Sequence, residues 1–181
     1  MVAPHDPDGR PLPFDLRFGW ELRGSGWATC RVADGASEQV DVVSYCTDAL
    51  RDLLKAVAGL YGAAASQRVS FDLEPAEVRW RLRRQGSEVD ITIYRYPDMS
   101  ESWNAPDDEG TRCWHSTQPR SALGHVVVEA AEAVLRTHGE AGYLEKWIQH
   151  PFPGEALDNL RRLHRRDDEC RHEDCQGNAD L

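Results

Sequence analysis

Cys113, Trp114 and His115 put a thiol and an imidazole two residues apart, the spacing at which alternate side chains of a strand share a face. A nearby histidine can draw a thiol toward thiolate and make it a nucleophile. Catalysis also needs a group to orient the imidazole and donors for an oxyanion, and neither can be assigned here, so plain burial or display of the pair is expected. A second set of reactive types, His164, Cys170, His172 and Cys175, has the donors that zinc takes in fours. The spacing Cys170-x-His172-x-x-Cys175 lacks the tight Cys-x-x-Cys knuckle of structural zinc sites and is flanked by acidic residues, so a solvated tail is expected and no metal or cofactor. Gly24-Ser25-Gly26 has the spacing of neither a nucleophile elbow nor a phosphate loop and reads as a hairpin turn. No catalytic residue is assigned.

Two charged groupings remain. Arg79, Arg81, Arg83 and Arg84 could line one strand face for an anion, but Glu77, Glu88 and Asp90 are placed to pair with them across a hairpin, which makes a solvated face the expectation. Between Pro97 and Gly110 the chain carries Asp98, Glu101, Asp107, Asp108 and Glu109, with Trp103 among them and no basic residue. A tryptophan rimmed by charge is the kind of anchor that binding surfaces use, so these six residues are the candidate partner site.

The elements that would carry these residues follow from hydrophobic period. Phe14, Leu16, Phe18, Trp20 and Leu22 alternate with mostly polar neighbours, predicting a half-buried strand. Ala28, Cys30 and Val32 return after the glycine turn, and a third strand covers Val40 to Tyr45. From Thr47 the apolar residues Leu50, Leu53, Leu54, Val57 and Leu60 take helical spacing, with Gly62 placed to end the helix in the left-handed conformation. Strands resume at Val69 to Leu73, and Val78, Trp80 and Leu82 turn through Gln85-Gly86-Ser87 into Val89, Ile91 and Ile93. A short strand near 112–117 precedes helices over 120–138, 143–149 and 157–164.

The chain has 181 residues, 40% apolar and 29% charged, which suits one soluble domain. Its formal net charge of −10 opposes a nucleic-acid partner and favours a basic protein. No stretch approaches the roughly 20 apolar residues that span a bilayer and no signal pattern is present, so no membrane partner and a cytoplasmic location are expected. Five scattered cysteines, Cys30, Cys46, Cys113, Cys170 and Cys175, are expected to be reduced.

The segments Trp20-Glu-Leu-Arg-Gly-Ser-Gly-Trp27-Ala, Thr47-Asp-Ala-Leu and Trp147-Ile-Gln-His-Pro-Phe-Pro153 resemble a group of small uncharacterised actinobacterial proteins over most of residues 14–166. That resemblance carries over no functional residue. In size, acidity and sheet-plus-helix build the chain is also similar, in a general way, to immunity proteins of bacterial polymorphic toxin systems.

The expected fold is α+β: a largely antiparallel sheet of about six or seven strands with helices packed on it. A flexible arm (1–13), a single domain (14–166) and a disordered acidic tail (167–181) make up the chain. The expected function is a non-enzymatic protein-binding module, an immunity or antitoxin-like inhibitor of a basic partner. The alternative is a small-molecule binder or enzyme with a pocket near Cys113 and His115.

Overall fold

The computed structural model describes residues 14–168. Seven strands form two antiparallel sheets rather than one. The first holds β1 (Arg17–Arg23), β2 (Trp27–Ala33) and β3 (Glu38–Ser44) in the order β1-β2-β3. The second holds β4 (Ser66–Asp72), β5 (Glu77–Gln85), β6 (Glu88–Tyr96) and β7 (Thr111–Pro119) in the order β4-β5-β6-β7. Helix α1 (Ala49–Gly59) intervenes between β3 and β4, and the two sheets meet through side chains instead of a backbone ladder. Ser44 donates to Glu74, Arg95 Nη1 lies 3.4 Å from Asp41 Oδ1, and Phe18 and Trp20 meet Trp80 and Phe71 edge-on, each pair 5.9 Å apart.

The alternation of β1 puts Leu16, Trp20 and Leu22 in the core with Phe71, Trp80, Ile91 and Ile93 of the other sheet. The three helices that close this core are α1, α3 (Arg120–Trp147) and α4 (Gly154–Asp168); the one-turn α2 (Met99–Ser102) lies elsewhere. Helix α1 ends without a left-handed glycine: Leu60, Tyr61 and Gly62 donate to Val57, Ala58 and Gly59, a tightened last turn that satisfies the free carbonyls instead. Helix α3 merges the first two of the expected late helices across a break at Gly139 (φ 63°, ψ 173°), a conformation that suits glycine. Beyond the break, Lys146 O accepts from Gly26 N at 2.7 Å, tying the helix to the first hairpin turn.

Within the described residues helix α4 runs through Asp168, beyond the domain boundary expected at 166, and Asp168 packs into the domain. Its carboxylate accepts from Tyr61 Oη (2.5 Å) and Arg120 Nη2 (2.7 Å) and lies 3.0 Å from His164 Nδ1. Burial pushes the Asp168 carboxyl up, but these three hydrogen bonds outweigh it and hold the group below the usual range. Gly124 in α3 makes room for the cluster: a Cβ there would sit 2.3 Å from Tyr61 Oη and 3.1 Å from His164 Nδ1. Gly124→Ala, which in an exposed helix would add about 1 kcal/mol, is therefore expected to destabilise by about 1–3 kcal/mol. Urea unfolding of the variant checks this, and a gain in stability would mean that α4 is not held by this cluster.

Candidate functional site

Along β5, Val78, Trp80 and Leu82 face the core while Glu77, Arg79, Arg81 and Arg83 take the opposite face. Arg79 is nevertheless fully buried, because the segment from Asp98 to Gly110 folds over it. Its guanidinium donates to Glu77 Oε1 (2.9 Å) and Oε2 (3.1 Å), Ser102 O (2.7 Å), Ala105 O (2.7 Å) and Asp107 Oδ1 (3.1 Å). It also stacks 4.2 Å from the centre of the Tyr96 ring. Tyr96 Oη lies 2.8 Å from Pro106 O and 2.9 Å from Asp107 O, and Gly110 packs so close to that ring that a Cβ would come within 2.6 Å of it. A fixed fork of five N–H donors suits this task, because it can bind a carboxylate on one side and loop carbonyls on the other.

The five carboxylates thus divide. Asp98 caps α2, accepting from Ser100 N (2.8 Å) and Oγ (2.7 Å), and those bonds hold its carboxyl low. Asp107 is taken up by Arg79 and lies 3.7 Å from Arg81 Nε. The stretch therefore has local cations, contrary to its own composition, because strand β5 supplies them. Glu101, Asp108 and Glu109 are exposed and make no ion pair among the described residues. Trp103 is 58% exposed, and its carbonyl accepts from Arg68 Nη2 at 2.9 Å. Beside it opens a cleft of about 570 Å³ bounded by Asp52 and Lys55 of α1, Gln67 and Arg68 of β4, and Asn104.

Cys113 and His115 are not brought together as a dyad. The β6–β7 register passes from Ile93↔Trp114 to Tyr94↔Arg112, so Cys113 is the extra residue of a bulge and the simple alternation that would align it with His115 is broken. The thiol lies 3.4 Å from Thr111 O, and burial, then the Asp41 carboxylate, pushes it up, away from thiolate. His115 instead bonds Asp90, with Nε2 2.9 Å from Oδ2. His164 belongs to the buried cluster with Tyr61 and Asp168, while Cys170, His172 and Cys175 lie outside the described residues.

Glu77 and Arg79, which hold the site with Tyr96, read in the sequence as parts of a solvated strand face and are instead buried, because alternation tells which face a side chain takes but not what covers that face. Their one signal is Glu77 and Arg79 at i and i+2 on a strand, a same-face pair of opposite charge. Fold and site define an α+β domain that displays one aromatic side chain from an internally braced loop. No helix among the described residues is long and apolar enough to cross a membrane. No family model and no curated protein sequence matches the chain. Among solved structures, a chain of the CdiA-CT/CdiI toxin and immunity complex from Enterobacter cloacae is similar over 64% of this chain and 99% of its own, at 11% identity and a TM-score of 0.42.

Proposed function

We propose that this protein is a non-enzymatic protein-binding module that docks through Trp103, in the manner of an immunity or antitoxin-like inhibitor, on a partner with a basic surface. The observation that carries this reading is a tryptophan 58% exposed on a loop whose backbone is pinned by a fully buried arginine. Burying a large aromatic in a partner's pocket releases much free energy, and a loop already held loses little conformational freedom on binding. The net charge of −10 and the exposed Glu101, Asp108 and Glu109 support a basic partner, which such a field steers into contact.

Charge and anchor separate in an experiment. Once a partner has been isolated with the wild-type chain from the source organism, association and dissociation are measured for two variants. Trp103→Ala is expected to speed dissociation, by roughly 30-fold or more, with little change in association. Glu101→Gln, Asp108→Asn and Glu109→Gln together are expected to slow association and flatten its salt dependence. Asp107 is left intact because it holds the loop. Wild-type rates in both variants would remove this surface from consideration.

A further inference from the structure

The outer face of the four-stranded sheet carries a second feature, beside the Trp103 loop and joined to it by the Arg81–Asp107 ion pair. Register places Arg81, Thr92 and His115 in one row across β5, β6 and β7, with Arg83 and Asp90 paired in the next row and Arg112 opposite Tyr94 in the row before. Because the central strand contributes a short threonine between longer flanking side chains, the face is hollow there: a polar groove of about 220 Å³. Its one carboxylate, Asp90, is already engaged by His115 at 2.9 Å and by Thr92 Oγ1 at 3.0 Å.

The arginines are less well matched. Arg81 forms a long ion pair with Asp107 at 3.7 Å, whereas no carboxylate among the described residues forms an ion pair with Arg83 or Arg112. In a chain with 31 acidic and 21 basic residues, three guanidinium groups gathered around one hollow are a concentration of charge against the protein's own average. Like charges crowded on one sheet face oppose folding, so the arrangement is stabilised when an anion enters. Guanidinium forks bond the oxygens of a tetrahedral oxyanion in pairs, and three of them offer more donors than the two oxygens of a carboxylate can accept.

We propose that the groove formed by Arg81, Arg83, Arg112 and His115 is an oxyanion site that takes a dianionic phosphate group. The phosphate can be free or the terminal group of a small phosphomonoester, and the two share the recognising chemistry.

The test uses the full chain and two probes, inorganic phosphate and ribose 5-phosphate, each titrated against sodium chloride at matched ionic strength. Calorimetry and thermal melting read the binding. Saturable binding and a rise in melting temperature absent in chloride are expected, together with movement of the Thr92 and His115 amide resonances. The Arg83→Gln/Arg112→Gln variant is expected to weaken binding by about tenfold for each arginine removed. Both side chains are exposed and their like charge is relieved, so the ligand-free melting temperature should equal or exceed that of wild type; a single Arg112→Gln variant serves if it falls. Arg136→Gln, on α3, is expected to bind as wild type does. Tighter binding of ribose 5-phosphate identifies an ester as the ligand, and equal binding identifies free phosphate. No stabilisation beyond that of chloride, or unchanged affinity in the double variant, overturns the proposal.

Discussion

Arg79→Met is expected to lower the unfolding free energy by about 3–5 kcal/mol, because it leaves the Glu77 carboxylate buried without its cation. The loop over it would lose its bonds at Ser102, Ala105 and Asp107 in the same step. Urea denaturation of the full chain measures the loss, and amide exchange over residues 98–110 should rise with it. The Glu77→Gln/Arg79→Met variant should recover part of the deficit, since the uncompensated charge is then gone. A midpoint equal to wild type in the single variant would mean that the guanidinium does not brace the loop. The same pair sets a pH dependence. Burial pushes the Glu77 carboxyl up, but hydrogen bonds from Arg79, Ser102 and Ser70 outweigh it and hold the group below its ordinary value. A carboxyl lowered by folding contributes stability that is fully present above its unfolded pKa, about 4.3, and is lost as pH falls through the lower folded value. Wild-type stability should therefore decline below about pH 4, and decline less steeply in Glu77→Gln.

Trp20→Ala should be comparably severe, costing about 3–5 kcal/mol. The indole is almost wholly buried where three parts of the fold meet: its ring lies 5.9 Å from Phe71 of the second sheet and 6.1 Å from Trp147 at the end of α3. Removing it opens a cavity that none of the three can close without moving the others. Thermal and urea unfolding give the loss directly. An unchanged midpoint would show that the alternating apolar face of β1 is not the face that holds the sheets together.

The hairpins were legible in the sequence because their cause is local. Trp20 and Leu22 alternate with charged residues, a glycine turn follows, and the partner strand repeats the period, which together leave one register. The α+β class and the strand count follow from the same reasoning, but the division into two sheets does not. It depends on Asp41 and Ser44 of β3 meeting Arg95 and Glu74 by side chain, which no periodicity encodes. The candidate site was half legible. Trp103 stands exposed on the surface, whereas Asp98 and Asp107, alike in composition to Asp108, serve the fold as a helix cap and an arginine anchor. The thiol–imidazole spacing says little for a related reason: a single bulged residue at Cys113 interrupts the period on which such a pairing would depend.

The distribution of tryptophans gives the protein its own optical reporter. Trp20, Trp80, Trp114 and Trp147 are buried, Trp27 is half-buried, and Trp103 alone of the six is largely open to solvent. A collisional quencher such as iodide or acrylamide meets the Trp103 indole first, while the emission of the core indoles is shielded. Red-edge fluorescence therefore follows the loop, and blue-edge fluorescence follows the core, in one unlabelled sample. Covering of Trp103 and melting of the domain can be watched as two separate colours.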